Sequence, residues 1–216
     1  MSEALLRDQD LAMWDAARPF LDVRNNDEHT LVAYALAKAL LKHIPEADAD
    51  TVLPAILLHD VGWKKVDPDL LLLAIGKNPT RKDLVRDHEV YGVEIARVIM
   101  VEHGPTGIDT EAVLAIIDGH DTDKTARSIN DAVVKDADKG WRTTVHGMRI
   151  IRGWYGQTVS EYVETLEKVS LPFMLTDAGR AMSHCFIAAL RAEANFLGQD
   201  AALRCIIGGN HRVIYG

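Results

Sequence analysis

The stretch Ala55-Ile56-Leu57-Leu58-His59-Asp60-Val61-Gly62-Trp63 constrains this chain more than any other. Its apolar residues cover nearly every side of a helix, which puts that helix at the centre of a helical bundle. The same helix then delivers an imidazole and a carboxylate, groups that are costly to bury without compensation. Neighbouring helical residues point about 100° apart, so both can reach one metal ion only at the edge between their faces, near a helix end. Gly62 is expected to supply that end.

Other histidines take inward positions on helices of their own. Val32, Ala33, Leu36, Leu40 and Ile44 form a stripe over 27–44, and His29 continues it at the N-terminal end before Pro45 closes the helix. His88 shares a stripe with Val85, Gly92, Ile95 and Ile99, and Gly92 permits close backbone approach. After Asp109 as cap, Val113, Ile116, Ile117 and His120 fall at i, i+3, i+4, i+7. His103, beside Gly104 and Pro105, reads instead as a solvated loop residue. In Ala132-Val-Val-Lys-Asp136-Ala-Asp138-Lys139 both aspartates have an apolar i−4 neighbour, so periodicity does not choose between them.

The ordered series His29, His59-Asp60, His88, His120 and Asp136/Asp138 resembles the HD-domain superfamily of metal-dependent phosphohydrolases. The resemblance spans about 25–141 and is sharpest in Asn26-Asp-Glu-His29-Thr, Leu57-Leu-His-Asp-Val-Gly-Trp63, Asp87-His-Glu-Val-Tyr91 and Lys135-Asp-Ala-Asp-Lys139. It implies an all-α fold, a helical bundle of one domain over 1–216, with the HD-like core followed by a C-terminal helical extension from about 142. It implies His29, His59, Asp60 and Asp138 as metal ligands, with Asp136 supporting them or bonding a helix end. Asp60, His88 and His120 are the implied catalytic groups. The last two either hold a second ion or face the substrate.

Imidazoles and carboxylates without thiolates suit Mn, Fe, Co, Ni or Zn. Such an ion polarises a phosphoryl oxygen and acidifies a bound water. The expected reaction is hydrolysis of a nucleotide or other small phosphorylated metabolite. Arg24, Lys64, Lys65 and Lys139 are the candidates for holding its phosphate. The long, breaker-rich connector before His88 leaves that helix loosely placed relative to His59-Asp60, so one tightly held ion is expected, with His88 and His120 on the substrate. Two rival readings are a di-iron oxygenase of the same superfamily and a non-catalytic helical binding module.

Charge narrows the partners. Lys plus Arg is 24 against 32 for Asp plus Glu, a net charge of −8, which disfavours long nucleic acid, since that binding depends on many cations meeting phosphates. The first residues form neither a basic n-region nor an apolar h-region, and no apolar run reaches the ~20 residues that span a bilayer. A cytoplasmic protein without a membrane partner is expected, and a homo-oligomer is compatible with the sequence. Cys185 and Cys205 form no Cys-x-x-Cys pair, and Cys185 reads as a small core residue.

The remaining segments are read as packing elements. A first helix over about 3–17 is expected to end before Pro19, and Asp48 or Asp50 to cap the central helix. A short helix within 67–78 precedes the breaker cluster Gly76-Lys-Asn-Pro79, a stretch that could serve as a lid or as an ordinary connector. Helices are expected over about 160–169 and 177–197, capped by Ser160 and Asp177, with Trp141, Trp154, Tyr155 and Phe173 in the core. The tail from Cys205 to Tyr215 is read as a short strand or extended arm.

Overall fold

Every residue from Thr51 to Leu58 is buried, so the helix that carries them, Ala49–Leu58, has no solvent face beyond its first two residues. It is the third of the helices in a computed structural model that describes residues 4–75 and 79–207, with side chains described to residue 196. In chain order these are α1 (Leu11–Leu21), α2 (Asn26–Leu41), α3 (Ala49–Leu58), α4 (Leu71–Ile75) and α5 (Asp83–His103). Then follow α6 (Thr110–Ile117), α7 (Ile129–Trp141), α8 (Val145–Tyr155), α9 (Val159–Thr165) and α10 (Asp177–Ile207). No strand occurs among the described residues, and the fold is all-α. None of these helices is long and apolar enough to cross a membrane.

α3 packs against α2, α6 and α7, and the main core runs through Tyr34, Leu40, Ile56, Leu57 and Ile117. Asp48 caps α3 by accepting from the Asp50 amide at 3.0 Å and the Thr51 hydroxyl at 2.6 Å. A second apolar cluster, with Met148, Tyr162, Leu166, Ile187 and Leu190, joins α8, α9 and α10. Ile151 packs against both clusters, and Ala178, Met182 and Phe186 of α10 reach the main core.

Gly62 has a different role from the helix stop expected of it. α3 ends at Leu58, and the chain continues as a 3₁₀ turn over Val61–Lys65 that crosses α5. A Cβ at Gly62 would overlap the His88 carbonyl oxygen and stand 2.5 Å from the Gly92 nitrogen. Two backbones thus touch where the His59-Asp60 segment meets the His88 helix, and only glycine fits. Gly62→Ala is expected to cost about 3 kcal/mol or more by overpacking, lowering the melting temperature by roughly 6–12 °C for a chain of this length. An unchanged melting temperature would show that the two segments can separate freely.

Several elements depart from the sequence expectation. α1 runs through Pro19, because the carbonyl it strands belongs to Asp15, which is exposed, while Met13, Ala17 and Leu21 keep one buried stripe going. α2 ends at Leu41 rather than Ile44, although Ile44 remains buried. α8 was not anticipated. Thr158, not Ser160, caps α9 through a reciprocal box with Glu161, and the Thr176 hydroxyl accepts from the Gly179 amide where Asp177 was expected to cap α10. Cys185 lies on the exposed side of α10 rather than in the core. α10 carries Cys205 to Ile207 as helix, so the expected strand or arm does not begin there, and 208–216 lie outside the described residues, as do Gly76 to Asn78 of the lid candidate.

Candidate metal centre

The buried histidines sit at helix ends or one turn into a helix, and their Nε2 atoms converge. His59 follows the last residue of α3 and its Nδ1 lies 2.7 Å from the Ile56 carbonyl. His120 follows α6 and repeats the device, with Nδ1 2.9 Å from the Ile117 carbonyl. Gly119, at φ +95°, turns the chain so that this is possible. A ring nitrogen donating to a carbonyl fixes the tautomer of the neutral ring and makes Nε2 the atom that can offer a lone pair to a metal, as metal-ligating histidines require.

Two donor sets result, and His59, Asp60 and His120, also within 4.8 Å of one another, form a third group that joins them. In one, His29 Nε2 lies 3.0 Å from His59 Nε2, 3.3 Å from Asp138 Oδ1 and 3.5 Å from Asp60 Oδ2. In the other, His88 Nε2 lies 3.3 Å from His120 Nε2 and 3.7 Å from Asp60 Oδ1, with Asp121 Oδ2 3.9 Å from both rings. Donors that share an ion through bonds of ~2.1 Å stand roughly 3.0–3.4 Å apart in octahedral or tetrahedral arrangements. The first set meets that spacing closely and the second slightly more loosely. Asp60 gives one oxygen to each. Imidazole lone pairs 3.0 Å apart repel unless a cation or proton lies between them, so these residues fit a metal.

Neighbours hold the donors in place. Trp63 donates from Nε1 to Asp60 Oδ1 at 3.0 Å and stacks on His88 with ring centres 4.0 Å apart. Trp141 packs edge-on against His29. Glu89, buried beside His88, accepts from the Asp121 and Thr122 amides at 2.9 and 2.8 Å and from the Thr122 hydroxyl at 2.7 Å, tying α5 to the turn that bears His120 and Asp121.

The electrostatics follow from this packing. Burial, reinforced by the neighbouring His120, pushes His88 down to about 4. Burial opposes charge on His120 as well, but the hydrogen bond its ring donates to Asp60, together with the nearby Asp121, raises it to about 9. Asp60 and Asp138 resist the upward push of burial and are held well below the usual carboxylate range, the first chiefly by His59 and the second by His29 and His59.

His120 therefore carries a proton at pH 7 in the metal-free protein and must lose it to bind an ion. Apparent metal affinity is expected to rise through pH 7 to 9 and level off above, with uptake at pH 7.5 releasing at least one proton. Calorimetric enthalpies that vary with the buffer's ionisation enthalpy would show it, and enthalpies independent of buffer would refute it. In the metal-free protein the same raised pKa adds stability that is complete below about 6.5, the ordinary value, and is lost as pH rises through about 9.

A cavity of about 650 Å³ opens over the donors. Asp60, Asp138 and His29 form its floor, and Trp63, Trp141, Trp154 and Tyr155 contribute to its walls. Trp154 and Tyr155 are therefore cavity residues rather than core, Trp141 is both, and Phe173 is exposed. The Tyr155 hydroxyl donates to the Ile75 carbonyl at 2.6 Å, tying α8 to α4. Arg24 lies in the left-handed region at φ 56°, followed by Asn25 at φ 59°, an uncommon pair of conformations for non-glycine residues. This backbone sends the Arg24 guanidinium over Trp63, 4.4 Å from the ring centre, with Nε and Nη1 buried and unpartnered.

The other predicted groups are placed differently. Lys64 is exposed and pairs with Asp22, Lys65 is exposed, and neither lines the cavity. The 3₁₀ turn points Trp63 inward and so points Lys64 out. Asp136 takes the second of its two expected roles, bonding a helix end rather than the ligands. It accepts from the Leu175 and Thr176 amides at 2.7 and 2.8 Å and from the Thr176 hydroxyl at 2.6 Å, pinning the start of α10 to α7. Lys139 is half-buried and lines a smaller adjoining pocket. Asp121, Glu89 and Arg142 were missed. Asp121 had a visible signal, because His120-Asp121 repeats the dipeptide His59-Asp60.

An all-α bundle enclosing a cluster of imidazoles and carboxylates defines a helical metal-binding class. The HD-domain family model matches residues 26–139, more than half of the chain, and the chain belongs to this family, whose members are generally metal-dependent hydrolases. No curated protein and no solved structure matches the chain.

Proposed function

We propose that this protein is a two-metal phosphohydrolase acting on a small phosphorylated metabolite, nucleotides included. The observation that carries the reading is Asp60, whose two oxygens each face a separate set of donors. His29, His59 and Asp138 complete one set, and His88, His120 and Asp121 the other. This replaces the single-ion expectation, which gave His88 and His120 to the substrate. Two divalent cations among three carboxylates leave a small positive excess, suited to a phosphate ester. Bound there, such ions supply Lewis acidity toward phosphoryl oxygens and water acidified toward neutral pH.

The chain's own residues do the rest. Trp63 orients Asp60 through its indole N–H. Arg24 brings unpartnered N–H donors to the cavity, and Arg142 lines the same space, so a phosphoryl group entering there meets two guanidinium forks. Trp154 and Tyr155 offer flat apolar surface for the body of the ester, and the walls limit water around the reacting centre. The C-terminal helices supply these walls while sharing Ile151 and α10 contacts with the HD core, which supports reading the described residues as one domain.

The donor set would also serve a di-iron oxygenase, and dioxygen separates the two. A screen of nucleotides and sugar phosphates under argon, with Mn, Fe, Co, Ni or Zn supplied in turn, is expected to release phosphate at the same rate as in air, with oxygen from labelled water in the product. Product formation that stops without dioxygen would replace hydrolysis by oxygenation.

A further inference from the structure

A second, smaller pocket of about 200 Å³ adjoins the main cavity, sharing Asp121, Lys124, Arg142, Val169 and Ser170 with it. Its remaining charged residues are Asp123, Lys135 and Lys139. Three of these six charges are already satisfied. Lys135 pairs with Asp131 and donates to the Thr125 carbonyl, and Asp123 pairs with Arg127. Asp121 faces His88 and His120.

Lys124 and Lys139 are not satisfied in this way. The Lys124 ammonium lies 5.5 Å from the Phe173 ring centre, and that of Lys139 lies 3.4 Å from the His120 carbonyl. Among the described residues neither is ion-paired, and no hydrogen bond engages the Arg142 guanidinium at the boundary between the two pockets. In a chain of net charge −8 this is a local reversal of sign around a partly open space large enough for a phosphate group, with Lys124 at its exposed rim and Lys139 half-buried. Across the main cavity, Arg24 presents buried N–H groups that also lack a partner. Unpaired cations around one continuous space call for more anionic charge than a single phosphate carries.

We propose that the side pocket is a second anion subsite and that the substrate is a small ester bearing two phosphate groups, one at the metal centre with Arg24, the other between Lys124 and Lys139. Arg142 contacts both. The inference rests on the phosphohydrolase reading for the role of the first phosphate, whereas the side pocket's affinity for an anion does not require a metal. Adjacent phosphates in a diphosphate ester and separated phosphates in a bisphosphate share this chemistry.

The test is titration of the full chain with inorganic phosphate, followed by ³¹P NMR and calorimetry, in both metal-loaded and chelator-stripped protein. The metal-loaded protein is expected to bind two phosphates per chain. Lys124→Ala/Lys139→Ala should bind one, with at least a tenfold loss at the other site and unchanged metal content. Arg24→Ala should keep the side-pocket phosphate. In stripped protein the phosphate lost on changing Lys124 and Lys139 should still be seen, so a chain that takes up no metal would remove the hydrolase reading and leave the subsite standing. One pyrophosphate displacing both phosphates would indicate a diphosphate ester, and two bound independently a bisphosphate. The proposal is overturned if the double variant binds phosphate as the parent does, or if Lys64→Ala/Lys65→Ala, which alters exposed lysines outside the cavity, removes the same phosphate.

Discussion

Asp60→Ala is expected to lose both metal ions and to lower turnover by more than about a thousandfold, the upper range for removing one electrostatic contact to a reacting group. The expectation follows from position. Asp60 Oδ2 lies 3.5 Å from His29 Nε2 and 3.6 Å from His59 Nε2, while Oδ1 lies 3.7 and 3.6 Å from the Nε2 atoms of His88 and His120. Removing the side chain takes a donor from both sets and strips the negative charge they share. The fold should persist, because the apolar core of α2, α3, α6 and α7 does not include Asp60. The loss of the Trp63 hydrogen bond costs about 1–3 kcal/mol by leaving a buried N–H unpaired. Asp60→Asn separates the two effects, since an amide oxygen can still accept from Trp63 but supplies no charge. Metal analysis with circular dichroism checks both variants, and a folded Asp60→Ala protein that retains metal and turnover would end the metal-centre reading.

The double change His88→Ala, His120→Ala should reduce metal content from two ions per chain to one and bring turnover to a small fraction of the parent's. His29, His59, Asp60 and Asp138 remain intact in this variant, so the first ion should stay. The alternative role for His88 and His120, as proton carriers to the substrate beside a single ion, predicts a different result. Turnover would fall while metal stoichiometry stayed the same. Elemental analysis of parent and variant in parallel decides between them.

Much of this centre is legible in the sequence because its ligands end apolar helical stripes. His29 begins one stripe, and an imidazole in register with Val32 must point where it points; His120 keeps the period of Val113, Ile116 and Ile117 in the sequence, but α6 ends at Ile117 and the turn at Gly119, φ +95°, brings the ring inward. Asp138 is a weaker case. Its period matched that of Asp136, and only the resemblance to HD domains chose between them, while the structure gives Asp136 to the start of α10. Asp121 was harder to read because it follows a turn, where helical period no longer predicts direction, and only the repeated His-Asp dipeptide marks it. The cavity walls were not legible. Trp154, Tyr155 and Arg142 lie on or beside an amphipathic helix whose other side packs in the core, so their pattern is that of any packing helix. Lys64 misled for a related reason. Proximity in sequence to His59-Asp60 implied proximity in space, but the intervening 3₁₀ turn sends it outward to Asp22.

The number of ions is the claim on which the rest depends, and anomalous scattering from crystals of the metal-loaded parent protein measures it directly. Two peaks per chain are predicted, one among His29, His59 and Asp138 and one among His88, His120 and Asp121, with Asp60 between them. A single peak under every metal supplied, or a second peak that Asp60 does not touch, would contradict the account.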